Sequence, residues 1–216
     1  KLRKATVNYH VSAETGARSP VASPDPAAAR LALKELLAIT DKDAAALVDG
    51  PSQQSPDGNA TLYRHQQDLI LYRTAKGSAN RLTSDKKPKQ LVTFSPDSLH
   101  IAFIRDHNLI VVPTEGGPEF AITTKGSSQQ LYGYLDWVYQ EELYGRGNFR
   151  GFWWSPDSRR IALLHLDETP VSRYTVADHL AYREKSNATY YPKAGDPLPR
   201  VRLGIATLEE KRPRWI

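Results

Sequence analysis

The chain contains no cysteine and no methionine. Without cysteine it has no disulfide, no thiolate zinc ligand and no cysteine nucleophile. The compartment stays open, because oxidising compartments also hold cysteine-free proteins. A methionine-free sequence that starts at Lys1 suggests a processed product, an excised domain or a partial sequence from which a targeting segment has been removed. No stretch approaches the roughly eighteen uninterrupted apolar residues of a membrane-spanning helix. Lys1-Leu2-Arg3-Lys4 is basic, but no apolar run follows it, so it is not a signal peptide. Gly-x-Ser-x-Gly is absent, and with it the serine elbow of an α/β-hydrolase. His-Glu-x-x-His is absent too: His10, His65, His100, His107, His165 and His179 are scattered, and His100 and His165 fall on predicted strands as ordinary satisfied side chains. No metal and no cofactor are indicated.

The formal charge is +5, from 29 Lys and Arg against 24 Asp and Glu. A nucleic-acid binder gathers such charge on one face, whereas here acids and bases interleave. The densest run, Asp85-Lys86-Lys87-Pro88-Lys89, includes an acid and a proline and reads as a solvated turn, so no nucleic-acid partner is expected. The hydrophobic fraction of 40% is enough to build a core.

Residues 6–11 read as a strand, followed by a turn at Ala13-Glu14-Thr15-Gly16. A short amphipathic helix is predicted over 26–38. Asp25 is its N-cap, Pro26 its first position, and Leu33, Leu36 and Leu37 form an apolar face that packs on a sheet. Residues 53–59 read as a polar loop. Leu69–Tyr72 is a strand and Ala75-Lys76-Gly77 a turn. Then Val92-Thr93-Phe94-Ser95-Pro96-Asp97-Ser98 precedes the strand His100–Ile104, with further short strands at 109–112 and 120–123. The pattern recurs without gaps at Trp154-Ser155-Pro156-Asp157-Ser158, where Ile161-Ala162 matches Ile101-Ala102. A repeated turn with the same strand after it, sixty residues on, fits a blade of about 40–50 residues plus an insertion. The expected fold is all-β, part of a β-propeller of four-stranded antiparallel blades. Residues 1–60 are its variable N-terminal part and 61–216 its blades.

The insertion does not alternate: a short helical turn is expected to carry Glu141 and Glu142, capped and packed by Asp136, Trp137 and Tyr139. Gly133-Tyr134-Leu135-Asp136-Trp137-Val138-Tyr139-Gln140-Glu141-Glu142-Leu143-Tyr144 is aromatic and carries two adjacent carboxylates. Neighbouring carboxylates repel, and a ligand ammonium with its three donors would relieve that. The ordinary fate of such a pair is a solvated acidic face. Asp136 to Glu142, followed by Trp153-Trp154-Ser155-Pro156, resembles the signature of the dipeptidyl peptidase IV family. Asp167-Glu168-Thr169-Pro170-Val171 and Tyr191-Pro192-Lys193-Ala194-Gly195-Asp196-Pro197 resemble later family segments in the same order. The resemblance is clear from about Lys89 to Leu208.

The resemblance implies that Glu141 and Glu142 bind the free N-terminal ammonium of a peptide. Gln140 replaces the first acid of the family's usual triple run, which is not the essential one. It also implies an upstream arginine holding the substrate's main-chain carbonyl: Arg64 by order and spacing, with Arg146 as the local alternative. The whole protein is then a serine exopeptidase releasing N-terminal dipeptides after Pro or Ala. Its partners are peptides with a free N-terminus and a C-terminal α/β-hydrolase domain of the same polypeptide, which this chain lacks, and it allows a homodimer. The expected location is outside the cytoplasm: periplasmic, secreted or membrane-anchored. The rival reading is a related propeller that binds a protein partner and has no catalysis.

Overall fold

A computed structural model describes residues 9–11, 15–16, 18–20, 25–145, 147–178 and 185–216. The expected strand over 6–11 is described as Tyr9–Val11 (β1), paired antiparallel with Arg18–Pro20 (β2). The described residues divide into two compact units: one up to Lys89 with Thr93–Ile101 and Val112–Glu119, the other with Gln90–Val92, Ala102–Val111 and Phe120–Ile216.

In the first unit the predicted helix spans Pro26–Leu37 (α1), with the Asp25 side chain accepting from the Ala27 N–H at 2.9 Å and Pro26 opening the first turn. A second helix, Asp41–Asp49 (α2), was not resolved by the sequence reading. Its cap is Thr40, which accepts from the Asp43 N–H at 3.2 Å, and Asp41 and Asp43 set negative charge in its first turn. Ala29 and Leu33 are buried against Tyr63, Ile70 and Tyr72, with Leu37, Leu47 and Val48 around them. Leu36, expected on the same face, sits in the last turn and is 38% exposed.

The sheet beneath α1 orders Gln53–Gln54 (β3), Ala60–His65 (β4), Asp68–Arg73 (β5) and Ser78–Arg81 (β6) in sequence, all antiparallel. β5 is buried on both faces, so Leu69–Tyr72 is a continuous apolar run rather than an alternation. A second four-stranded meander follows: Gln90–Phe94 (β7), His100–Arg105 (β8), Asn108–Pro113 (β9) and Phe120–Ala121 (β10).

In the second unit Gln130–Tyr132 (β11) and Phe152–Trp154 (β12) both pair with Arg160–Asp167 (β13). The hairpin Arg173–Asp178 (β14) and Lys185–Tyr190 (β15) intervenes, and Arg200–Thr207 (β16) and Pro213–Trp215 (β17) complete the sheet. Its core packs Phe152, Ile161, Leu163 and Ala206 with Ala102, Ile104, Leu109, Val111 and Ile122. Phe94 and Trp154 each end the strand before their Ser-Pro-Asp turn, in different sheets, as the repeat requires.

The stretch 53–59 is more than a polar loop. Ser55-Pro56-Asp57-Gly58 is a third copy of the repeated turn, forty residues before Ser95. In all three copies the serine hydroxyl donates to the aspartate two residues on, at 2.6, 2.5 and 2.5 Å. The same oxygen accepts from the N–H five residues on, at 2.9 Å each time. A second device repeats at the same period. Thr83 and Thr123 accept from the Leu69 and Leu109 N–H groups, both at 3.0 Å. Asp68 and Asn108 meet those threonine hydroxyls, at 3.0 and 3.2 Å. These polar clasps close successive blades of one repeat.

The run Asp85–Lys89 is exposed except at its end. Lys89 is 1% exposed, with its ammonium on Asp68 at 2.9 Å and on Asp85. The reading of the whole run as solvated is therefore corrected: an ammonium enters the interior because a buried carboxylate waits for it.

Candidate functional site

The insertion interrupts one strand without breaking its register. Tyr132 lies opposite His165 and Phe152 opposite Leu163, so β11 and β12 are two halves of one strand along β13. The chain leaves at Gly133 and rejoins at Gly151. The Gly133 N–H donates to the Leu164 carbonyl at 2.8 Å, the Leu164 N–H to the Gly151 carbonyl at 2.8 Å, and the Gly151 N–H to the Gly133 carbonyl at 3.0 Å. This neck requires glycine. At Gly133 φ is +72°, and a Cβ would stand 3.1 Å from Ile104 Cδ1. At Gly151 a Cβ would meet Leu135 Cδ2 at 3.0 Å. Gly133→Ala is expected to cost about 1–2 kcal/mol through the left-handed backbone alone. A urea midpoint equal to that of the unaltered chain would contradict this role.

Above the neck, the Leu135 N–H donates to the Phe149 carbonyl at 2.8 Å, forming a short stem. Asp136 then caps a helical turn: its carboxylate accepts from the Tyr139 N–H at 3.0 Å. The turn widens to π geometry over Tyr139–Leu143, with the Tyr144 N–H reaching the Tyr139 carbonyl at 2.9 Å. Such wide turns recur at functional sites, because one extra residue re-aims the side chains. Glu141 and Glu142 lie on this turn, the first half-buried and the second exposed. Gln140 is buried and its amide donates to Glu141 Oε1 at 3.1 Å. A neutral donor thus stands where a third carboxylate would add repulsion.

Three sequence segments hold the turn. Trp137 packs on Tyr191 with ring centroids 4.4 Å apart, and Tyr191 on Tyr174 at 5.9 Å. Leu135 and Tyr139 pack with Leu131 and Leu166. Glu168, two residues past Leu166, is fixed by its N–H on the Gln129 carbonyl at 2.8 Å and is buried, as is Asp136. Burial, reinforced by the charge of Asp136, pushes the Glu168 carboxyl up to about 7. Burial also raises the Asp136 carboxyl, against the bonds from the Tyr139 and Val138 N–H groups.

A raised folded-state pKa means that folding holds the Glu168 proton. That stabilisation is complete below the ordinary glutamate pKa and is lost as pH rises through about 7. Glu168→Gln is therefore expected to leave stability at pH 4 unchanged and to raise it at pH 8, on the order of 1–2 kcal/mol. Urea midpoints at the two pH values check this, and an equal effect at both would contradict it.

Arg64 stands exposed on β4 in the first unit, opposite Leu69. Glu141 and Glu142 belong to the second unit. Arg146 lies outside the described residues. Among the described residues no group of His, Asp and Glu is arranged to hold a metal. Asp136, the expected cap, and Glu168, which the sequence offers only within a family segment, are the buried carboxyls of this site. Their signal was present, since both sit in the segments that carry the family resemblance.

Successive four-stranded meanders, with a carboxylate-bearing turn inserted into one strand, define a portion of a β-propeller. The family described as the dipeptidyl peptidase IV (DPP IV) N-terminal region matches residues 53–216, and the chain belongs to it. It is 37% identical over 134 residues to "Probable dipeptidyl-aminopeptidase B" of Arthroderma benhamiae, covering 56% of this chain and 14% of that protein. It is 33% identical over 135 residues to dipeptidyl-aminopeptidase B of Aspergillus niger, covering 56% and 15%. The crystal structure of Porphyromonas gingivalis dipeptidyl peptidase 4 is similar with a TM-score of 0.66 at 24% identity, covering 76% of this chain and 25% of that one. A putative dipeptidyl aminopeptidase IV of Bacteroides ovatus gives 0.60 at 19%, covering 96% and 27%. The chain thus spans about a seventh of the length of these curated relatives.

Proposed function

We propose that this chain is the amine-capturing, substrate-gating part of a serine exopeptidase that releases N-terminal dipeptides after Pro or Ala. The observation that carries the reading is the placing of Glu141 and Glu142 side by side on a capped π turn, held by the neck and by Trp137. A peptide ammonium offers three donors and one positive charge, and two adjacent carboxylates accept two charge-assisted bonds from it. Arg64 holds the first main-chain carbonyl. The nucleophile comes from an α/β-hydrolase domain of the same polypeptide. With the amine anchored, the bond two residues in stands in line for attack, so the anchor-to-nucleophile distance sets the product length. In this reading the protein works outside the cytoplasm, periplasmic, secreted or membrane-anchored, and a homodimer is allowed.

The test uses the complete polypeptide. A Gly-Pro substrate with a free amine should be turned over at least about a hundredfold faster than its N-acetyl form, since acetylation removes both the charge and two of the donors. Equal kcat/KM for the two would overturn the reading.

A further inference from the structure

Away from the insertion, the second unit carries a groove of about 440 Å³ on the sheet of β13, β16 and β17, reached also by Lys125. Volumes of roughly 300–1,000 Å³ suit small ligands. Its floor is aromatic. Tyr132 and His165 stack in parallel, centroids 4.2 Å apart at 6°, and Trp215 tilts against both at 5.9 and 5.6 Å. Its rim is cationic. Lys125, Arg202 and Arg212 line it, all exposed, and no carboxylate does. Among the described residues none of the three makes an ion pair, and the Arg202 guanidinium lies 5.2 Å from the Trp215 ring centroid.

The floor also presents an unused polar atom. The Gln130 amide nitrogen donates to Asp167 at 2.6 Å and to Thr169 at 3.2 Å, which fixes the orientation of the amide. Its oxygen, 2.7 Å from His165 Nε2, therefore accepts from an Nε2–H. The Nδ1 of neutral His165 is left as an acceptor, and among the described residues it has no partner. His165 is 9% exposed. Burial holds its imidazole below the ordinary range, with Arg202 acting the same way and Asp167 opposing, so the ring is neutral at pH 7.

We propose that this groove binds a small planar anion, a flat ring bearing a phosphate or carboxylate group. The ring stacks against Trp215 and the Tyr132–His165 floor, the anion meets Arg202, Arg212 and Lys125, and a ring N–H or O–H donates to His165 Nδ1. Flat aromatic walls favour a π face, guanidinium forks suit phosphate and carboxylate oxygens, and the lone acceptor selects a ring with a donor. The site is independent of the Glu141–Glu142 turn and of the peptidase reading.

The test titrates the complete polypeptide with adenosine monophosphate, indole-3-acetate, adenosine and inorganic phosphate, following tryptophan fluorescence and the His165 ring nitrogens by NMR. The two ring-bearing anions separate a phosphate source from a carboxylate one. Saturable binding is expected for at least one of them, about tenfold or more tighter than for adenosine or phosphate, each of which keeps only half the contacts. The His165 Nδ1 resonance should shift on binding in the unaltered chain. The R202Q/R212Q double variant should weaken binding by about tenfold or more. No saturation by either ring-bearing anion, equal affinity for phosphate alone, or saturation with an unmoved Nδ1 resonance would overturn the proposal. The NMR readout needs no variant, so it decides even if the double variant fails to fold.

Discussion

Replacing Lys89 with methionine is expected to destabilise the fold by about 3–5 kcal/mol, because it strips a buried carboxylate of its ammonium. Lys89 and Asp68 have no exposed side-chain surface, and their atoms approach to 2.9 Å. Burial alone would raise the Asp68 carboxyl. The bonds from Lys89, the Lys86 N–H and Thr83 override it and hold the group below the usual carboxylate range. A depressed folded-state pKa gives stability above the ordinary aspartate value, lost as pH falls through the folded one. The Lys89→Met loss should therefore be full at pH 7 and shrink towards pH 3. Arg81, 3.2 Å from Asp68 and partly solvated, keeps one partner in place and sets the effect at the lower end of that range. Asp68→Leu combined with Lys89→Met should cost less than the sum of the single changes, since the charges left behind, Arg81 and Asp85, are partly solvated and no fully buried charge is left unpaired. Urea midpoints for the three variants check this; a Lys89→Met variant within half a kilocalorie of the parent would show that the pair contributes nothing net.

In the complete polypeptide, Glu141→Gln and Glu142→Gln should each lower kcat/KM on a Gly-Pro substrate by about ten- to a hundredfold. Each removes one charge-assisted bond to an ammonium, of about 1.5–3 kcal/mol. Half-buried Glu141, steadied by Gln140, should show the larger loss, and exposed Glu142 the smaller, because solvent screens it. Both variants should keep the parent's stability, since neither carboxylate is part of the neck. A loss of activity that tracks a loss of folding would point instead to a structural role.

The blades were legible because their punctuation is chemical. Ser95-Pro96-Asp97 and Ser155-Pro156-Asp157 spell out the same serine–aspartate clasp, and the apolar strands after them match. The third copy at Ser55 is masked in the sequence because Gly58-Asn59 reads as plain loop and β3 is only two residues long. The signal lay in the forty-residue shift that also maps Asp68 onto Asn108 and Thr83 onto Thr123. The cap at Asp136 and the helical turn at Glu141 were legible from failed alternation, but the π geometry was not, since one extra residue per turn leaves no trace in composition. The burial of Lys89 leaves no mark in the local sequence, for a general reason. A charged run looks solvated unless its partner is known, and Asp68 lies twenty-one residues away. Glu168 was seen only as part of a motif, because burial of a carboxyl depends on what folds over it.

The most direct test of the central claim compares free-amine and N-acetyl Gly-Pro substrates in the complete polypeptide, first unaltered and then with both Glu141→Gln and Glu142→Gln. If the pair captures the ammonium, the preference for the free amine should fall from about a hundredfold or more to within a few-fold of unity, because the acetylated substrate brings no charge and a single N–H to the carboxylates and loses little when they go. A free-amine preference that survives intact in the double variant would place amine recognition elsewhere and leave Glu141 and Glu142 as a solvated acidic pair.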